Sequence, residues 1–203
     1  MSPVPVRAGG TMVLSVEKRR LDAPDEDVEW WLSRPIVDRL AAVEVLRRRA
    51  YGIDDAVGSR LQRVCQSFAR HEVRYLIVGG YALAAHGLPR ATGGLDTWVW
   101  VNQSNAERIV AALEEFGFGG LGLTVSDFEE TGRVVQLGYP PHRIDILTSI
   151  DGVEFDEAWE RRITVSIDNS SLPIIGRDDL VANKVAVGRA QDLADIARLR
   201  GDG

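Results

Sequence analysis

The sequence predicts an α/β (α+β) fold, in which helices flank one mixed β-sheet and a helical module precedes the sheet. Two observations support this prediction. Up to residue 71 the apolar residues recur at helical spacing, whereas from residue 73 onward short apolar runs of strand length alternate with helical patterns. We therefore expect a flexible tail over residues 1–25, an N-terminal helical module over 26–71 and a sheet-containing domain over 72–200.

The N-terminal module is predicted to contain two helices. The segment WWLSRPIVDRLAAVEVLRRRAYG, residues 30–52, has apolar residues at helical spacing, arginines in its last turn and Gly52 as its stop. Pro35 is compatible with this helix because the first turn of a helix needs no backbone N–H at that position. A second helix is predicted from Asp55 to about His71.

The first half of the sheet-containing domain is predicted as strand, helix, strand and helix. These elements are VRYLIVGG (73–80), YALAAHG (81–87), LDTWVWV (95–101) and a helix over 104–117. The last of them has Ser104 as its predicted N-cap and Glu107 three residues later, which is the spacing of a capping box. The two apolar strands are expected to be buried.

The second half is predicted to contain three strands and three helices. The strands are RVVQLGY (133–139), HRIDILTSI (142–150) and RITVSI (162–167), and the helices are EFDEAWE (154–160) and two more within 176–200, separated near Gly188. Pro140 and Pro141 separate the first two strands, which are expected to be neighbours, with a hairpin as one arrangement.

The composition narrows the classes of function. Acidic residues outnumber basic ones 30 to 24, and the net charge of −6 argues against a general nucleic-acid coat, although a local basic groove remains compatible with it. Cys65 is the only cysteine, which excludes disulfides within the chain and cysteine-based zinc sites. No apolar run is long enough for a membrane span, and the N-terminal stretch is too polar for a signal peptide. We therefore expect a cytoplasmic protein.

Three features of the predicted strands point to chemistry. Gly79 and Gly80 end a buried strand, Asp96 lies at the start of the next one, and Asp145 lies within HRIDILTSI. Asp145 stands between two isoleucines, so an apolar strand presents a carboxylate on its alternate face, together with Arg143 two residues earlier. A buried charge needs a partner, and a metal ion is one way to supply it.

The combination of YLIVGGYALAAHGLPRATGGLDTWVWV, HRIDILTSI and DLVANKVAVGRAQDLADIARL resembles the nucleotidyltransferase superfamily that includes DNA polymerase beta. It is most similar to minimal bacterial members of the AbiEii toxin-like type. The resemblance covers roughly residues 72–200. It implies a nucleotidyltransferase fold. It also implies an enzyme that transfers a nucleoside monophosphate from an NTP such as ATP to a hydroxyl acceptor, with Mg²⁺ as the cofactor and pyrophosphate as the leaving group.

The resemblance also implies roles for particular residues. Gly79 and Gly80 match a turn at the start of a helix whose backbone N–H groups receive the triphosphate. Asp96 matches the second acid of an Asp-x-Asp pair that binds metal, and Asp145 matches a third acid that completes the site and helps to activate the acceptor hydroxyl. Further nucleotide-binding residues implied by the resemblance are Lys184, which matches a helical lysine used against the triphosphate, and Arg90 and Thr92, in the loop before Asp96.

The chain departs from that pattern at one position. The first acid of the pair is expected at position 94, which is Gly94. A site with two of three carboxylates is expected to lose much of its rate, because charge stabilisation supplies most of the catalysis in phosphoryl-type transfer. Three explanations stay open: a natural non-catalytic relative that binds a nucleotide or a partner, a substitution that removes activity, or weak activity through Asp96 and Asp145 alone.

The substrates and partners follow from the same resemblance. The substrate is an NTP, and the acceptor hydroxyl can belong to RNA, to a protein or to a small molecule. DEDVEWWLSRPIVDRLAAVEVLRRRAYG, residues 25–52, weakly resembles small helical proteins encoded beside such transferases, which implies an antitoxin-like contact within the chain and a toxin–antitoxin role. The alternative is a helical extension that packs on the sheet and stabilises it.

Overall fold

The computed structural model describes residues 27–52, 58–140, 142–167 and 170–200. Within them the chain forms eight α-helices and one mixed six-stranded sheet, which confirms the predicted fold class. The predicted tail over 1–25 lies outside the described residues, and so does the predicted start of the second helix, since residues 53–57 are not among them.

The helices and strands follow the predicted order, with one additional strand. The helices are α1 Asp27–Leu32, α2 Ile36–Tyr51, α3 Gly58–Arg70, α4 Gly79–Ala85, α5 Gln103–Leu113, α6 Phe155–Glu160, α7 Arg177–Val187 and α8 Ala190–Arg200. The strands are β1 Tyr75–Ile77, β2 Gly94–Val99, β3 Val134–Leu137, β4 Arg143–Leu147, β5 Ile163–Ile167 and β6 Ser170–Ile174.

The strand order across the sheet is β3-β4-β2-β1-β6-β5. The pairs β2–β4 and β1–β6 are parallel, and the pairs β1–β2, β3–β4 and β5–β6 are antiparallel. The strands β3 and β4 therefore form the hairpin that the sequence allows. Because β2 and β4 are neighbours, the register sets Asp96 directly opposite Asp145.

The core lies between the sheet and the helices. All three residues of β1 are buried, and the side chains of Val43 in α2 and Phe68 in α3 belong to the same hydrophobic cluster. The helix α2 also contacts α4 directly, because the Tyr81 hydroxyl donates a hydrogen bond to Glu44 and the Arg39 guanidinium donates one to the Ala85 carbonyl. The predicted module over 26–71 thus contacts the sheet-containing domain, and the division between them stays a prediction.

The first predicted helix is divided in two. It begins as α1, is interrupted at Ser33 and Arg34, and resumes as α2 with Pro35 at the N-cap position. Proline disfavours helical backbone in the residue before it, so a continuous helix from Trp30 to Gly52 is wrong. Gly52 ends α2 as expected, in a left-handed conformation with φ of 64°.

The boundaries of α5 also differ from the expected ones. Asn102 is the N-cap, with its side-chain oxygen accepting a hydrogen bond from the backbone N–H of Ser104, so the prediction of Ser104 as the cap is wrong. Asparagine and serine compete for this position because both carry a short side-chain acceptor. At the other end α5 stops at Leu113, and one π-helical turn, Glu114–Phe118, follows.

The strand β6 is absent from the sequence-based prediction. Its residues, SSLPI, contain two serines and a proline, which favour turns over strands. The strand nevertheless pairs with β5 along its length and with β1 at Ile174. The predicted strand over 73–80 is shorter than expected, because Gly79 and Gly80 already belong to α4.

Cys65 lies in the core, where burial raises the pKa of its thiol to about 11. The thiol is therefore protonated at neutral pH and behaves as a small apolar side chain. None of the helices in the described part of the chain is long and apolar enough to cross a membrane.

Candidate active site: two carboxyl groups beside a glycine turn

The two predicted acids meet across neighbouring strands. Asp96 in β2 and Asp145 in β4 are register partners in a parallel pair, so their side chains leave the same face of the sheet. The other buried positions of these strands are apolar except Thr97, whose hydroxyl donates a hydrogen bond to the backbone carbonyl of Asp145. The sheet therefore brings together two carboxyl groups that are 49 positions apart in the sequence numbering.

The surroundings of Asp96 favour its protonated form. Burial, the nearby charge of Asp145 and a hydrogen bond with that second carboxyl raise the pKa of Asp96 to about 6. The guanidinium of Arg143 and the backbone N–H of Gly80, which donates a hydrogen bond to Asp96, act in the opposite direction. Two carboxylates this close repel each other, and a cation between them would relieve that repulsion.

Asp145 is a buried side chain with one free oxygen. Its Oδ2 atom lies 2.8 Å from Nη2 of Arg143, which confirms that these two residues share a strand face. Its Oδ1 atom is buried and accepts no hydrogen bond from any donor group in the described residues. Protonated Asp96 is one neighbour that can donate to Asp145, and a metal ion is another partner suited to such an oxygen.

The glycine turn lies against Asp96. Gly79 has a φ of 61°, and a Cβ atom on it would lie 2.0 Å from Oδ2 of Asp96. Only glycine combines this backbone conformation with this close approach. The Gly80 N–H is directed at the Asp96 carboxyl group, so in this structure the start of α4 receives a carboxylate where the resemblance implies a triphosphate.

Gly94 has no room for the acid that the resemblance implies. A Cβ atom at this position would lie 2.1 Å from the backbone oxygen of Arg143 and 2.8 Å from its carbonyl carbon. Both are backbone atoms of the paired strand β4, so any larger residue requires the two strands to move apart. The absence of the first acid is thus built into the spacing of β2 and β4.

Thr92 and Arg90 lie on different sides of the loop before β2. The Thr92 hydroxyl donates a hydrogen bond to the Gly94 carbonyl, and its side chain lies against Gly80, 2.9 Å from a Cβ built there. Thr92 is therefore part of the group around Asp96. Arg90 instead extends towards α8, where its Nη2 lies 3.4 Å from Oδ2 of Asp195.

Lys184 belongs to a buried charged cluster between α7 and α8. Its Nζ atom donates to Oδ1 of Asp192 at 2.6 Å and to Oδ2 of Asp195 at 2.8 Å. No hydrogen bond or ion pair of the described residues joins Lys184 or Arg90 to either site carboxyl group. Their predicted contact with a triphosphate stays a prediction, and Lys184 has its charge already matched by two carboxylates.

Asp192 and Asp195 are functional candidates that the sequence reasoning missed. They are three positions apart on α8, so they share a helix face, and that face is turned towards Lys184. Two acids three positions apart in a predicted helix were the sequence signal for this pair. Across the ranges that the structure describes, no group of three or more His, Cys, Asp or Glu side chains is arranged to hold a metal ion.

Comparisons with known proteins reveal a similarity of fold to solved structures. No family model matches the chain, and no curated protein matches it. Among solved structures it is similar to a "putative nucleotidyltransferase" from Thermotoga maritima, with 13% identity over 70% of this chain and 91% of that chain, at a TM-score of 0.46. Identity and TM-score this low do not assign an activity, which must be argued from the site itself.

Proposed function

We propose that the chain binds a nucleoside triphosphate with Mg²⁺ at Asp96 and Asp145 and transfers the nucleoside monophosphate to a hydroxyl acceptor. The observation that carries the proposal is the facing of these two carboxyl groups across β2 and β4, beside the glycine start of α4. Paired carboxylates next to backbone N–H groups suit a metal-bound phosphate.

The residues present fit one Mg²⁺ ion and not two. Mg²⁺ in phosphate-binding sites is commonly held by one or two carboxylates, with waters and substrate phosphates filling the other positions. Asp96 and Asp145 supply two carboxylates, and the buried Oδ1 of Asp145 is free to act as a ligand. A second ion lacks its ligand, because Gly94 stands where a third acid is needed and β4 leaves no space there.

The protein groups divide the remaining tasks. A bound Mg²⁺ would neutralise charge on the phosphates and polarise the phosphorus under attack. With Oδ1 of Asp145 holding the ion, the second carboxylate oxygen, Oδ2, is the protein atom that would accept the proton of the attacking hydroxyl. Asp96 is the second ligand, and Thr92 and the glycine turn line the nucleotide side of the site.

The contacts of α2 support a stabilising role for the N-terminal helices over an antitoxin-like one. The hydrogen bonds from Tyr81 to Glu44 and from Arg39 to Ala85 tie α2 to both ends of α4, whose first turn is the glycine turn. We propose that α2 holds this turn in place.

The test of the proposal is binding of each NTP by calorimetry, with and without Mg²⁺, in the parent protein and in the Asp145→Asn variant. We expect Mg²⁺-dependent binding that Asp145→Asn weakens at least about tenfold, because a neutral amide is a poor Mg²⁺ ligand. The matched control is Asp151→Asn, at an exposed carboxylate in the loop after β4. Equal binding by the parent protein and Asp145→Asn would contradict the proposal.

A second candidate function is binding of nucleotide without transfer. The close packing of Gly94 against the Arg143 carbonyl favours this candidate, because it leaves no space at position 94 for another metal ligand. Pyrophosphate release separates the two candidates. Pyrophosphate release from an NTP in the presence of RNA, protein or small hydroxyl acceptors supports transfer if Asp145→Asn abolishes it. NTP binding without pyrophosphate release in the presence of any of these acceptors supports the second candidate.

A further inference from the structure

Arg143 is a positive charge inside the candidate active site. It shares a strand face with Asp145, and its Nη2 atom lies 2.8 Å from Oδ2 of that residue. Its charge also lowers the pKa of Asp96, so it acts on both site carboxyl groups. About a third of the Arg143 side chain is exposed, and its Nε atom is buried with no hydrogen-bond partner in the described residues.

Arg143 and Gly94 are two sides of one structural feature. They are register partners in the β2–β4 pair, and a Cβ on residue 94 would lie 3.0 Å from the Cβ of Arg143. Arg143 itself therefore occupies the space that a side chain at position 94 would need. The positively charged Arg143 thus lies beside position 94, where the third carboxylate is missing.

The charges of the site favour one divalent ion. Asp96 and Asp145 together carry two negative charges when ionised, and Arg143 offsets one of them. The first divalent cation already outweighs the remaining charge, and a second would face both that cation and the guanidinium within a few ångströms. At such distances like charges repel by several kcal/mol even at an effective dielectric constant of about 20.

We propose that Arg143 supplies the second positive charge of this site, so that the site takes one divalent cation and Arg143 binds the phosphates of the nucleotide. This inference rests on the proposed function for its nucleotide half. A guanidinium offers a planar fork of donors that matches phosphate oxygens, and about a third of the Arg143 side chain is exposed, which lets a phosphate approach it. Asp145 would hold the metal ion, and the Arg143 guanidinium would then be available to a phosphate oxygen in place of Oδ2 of Asp145.

The experiment measures two affinities in the same variants. Mn²⁺ alone is titrated and followed by electron paramagnetic resonance, and ATP with Mg²⁺ is titrated by calorimetry. The variants are Arg143→Gln, Arg143→Lys and the control Arg133→Gln, at a more exposed arginine that pairs with Glu130. Thermal unfolding confirms that each variant is folded.

The two affinities are expected to change in opposite directions. The parent protein binds one Mn²⁺ per chain. Arg143→Gln binds Mn²⁺ about tenfold more tightly, because a competing positive charge leaves Asp145, and binds ATP about tenfold more weakly, because a phosphate donor is lost. Arg143→Lys keeps the Mn²⁺ affinity of the parent with an intermediate ATP affinity, and Arg133→Gln changes neither.

Several outcomes would overturn the inference. They are two Mn²⁺ ions per parent chain, an unchanged Mn²⁺ affinity in Arg143→Gln, or a loss of both affinities together, which indicates a merely structural arginine. ATP binding that Arg143→Gln leaves intact has the same consequence. A parent protein that binds Mn²⁺ as expected and no nucleotide would instead overturn the proposed function, and with it the nucleotide half of the inference, while the charge role of Arg143 at the metal stands.

Discussion

Among single residues, Asp96 combines its proposed role as a ligand with a cost in stability. Its carboxyl group is largely buried and lies close to Asp145 and to Gly79. Burial and the charge of Asp145 raise its pKa from an ordinary 3.8 to about 6. At neutral pH the folded protein therefore keeps an ionised carboxylate in a place that favours the acid. Ligand-binding groups are often retained at such a cost to the folded state.

The pH dependence of stability follows from this raised pKa. Between about pH 4 and pH 6 the folded state binds more protons at Asp96 than the unfolded state does, so the free energy of unfolding falls as pH rises and then levels off. We expect Asp96→Asn to remove this fall and to raise the free energy of unfolding at pH 7.5 by about 2 kcal/mol. Urea unfolding from pH 4 to 8 in EDTA measures both.

The Asp151→Asn variant is the control for that measurement. Its carboxylate is exposed, and the pH profile of its unfolding should follow that of the parent. A parallel profile for Asp96→Asn, or a lower stability at pH 7.5, would show that Asp96 is not strained by its surroundings.

The sequence predicts a site residue when the residue stands out within its own strand or helix, and it fails when the role depends on contacts between distant elements. Asp96 and Asp145 interrupt apolar strands, and a charge in such a strand is visible without a structure. The pairing of Lys184 with Asp192 and Asp195 depends on how α7 folds back on α8, which no local pattern reveals, and the triphosphate contact that the resemblance implies for Lys184 stays a prediction. The tight packing at Gly94 depends on strand spacing, which no residue pattern reveals.

Among the elements, α2 and α4 form the contact that supports the glycine turn. The Tyr81 hydroxyl donates to Glu44, and Glu44 also pairs with the buried Arg47. Burial and the Glu44 charge raise the pKa of Tyr81 well above its ordinary value, so the phenol stays protonated as the donor. The phenol therefore remains a hydrogen-bond donor at neutral pH and above.

Removing this hydroxyl tests the link. We expect Tyr81→Phe to lower the free energy of unfolding by about 1 to 2 kcal/mol, because Glu44 loses a donor in a partly buried position. Tyr139→Phe is the control, since that ring is 86% exposed and its variant should match the parent. Chemical denaturation of the three proteins decides the matter, and equal stability of all three would mean that the α2–α4 contact rests on apolar packing alone.

Element types were easier to predict than element ends. Helical spacing and apolar strand runs are repeated signals, so the order of helices and strands is confirmed except for β6. Single residues decide the ends, and there the competition is close, as between Asn102 and Ser104 for the cap of α5. The strand β6 was not predicted because it contains Pro173, and a proline within a short run argues against a strand.

For the molecule as a whole, the buried cluster of Lys184, Asp192 and Asp195 joins distant parts of the chain. It ties α7 to α8, and through Asp195 it reaches Arg90 in the loop that leads to β2. The Asp195 side chain is only 2% exposed, so its charge depends on these partners. The C-terminal helices are thereby connected to the loop that carries Thr92 and leads to Gly94 at the start of β2.

Lys184→Met should therefore destabilise the whole fold. We expect a loss of about 3 to 5 kcal/mol in the free energy of unfolding, because two carboxylates lose their buried counter-charge. Arg70→Met removes one partner of an exposed pair with Glu115 and should cost less than about 1 kcal/mol. Urea unfolding at low ionic strength compares the two variants, because urea is uncharged and does not screen ion pairs. A similarly small loss in both variants would show that the Lys184 cluster contributes little to stability.

The strand order also bears on how the chain is made. The strands β3, β4, β2 and β1 are complete once residue 147 has been synthesised, but the remaining edge of β1 pairs only with β6, whose contact residue Ile174 lies about 100 positions beyond Ile77. During translation that short, wholly apolar strand exposes unpaired N–H and C=O groups, the kind of edge that recruits other chains. The β5–β6 hairpin covers this edge of the sheet last, so we expect chains that end before it to be more prone to aggregation than the complete chain.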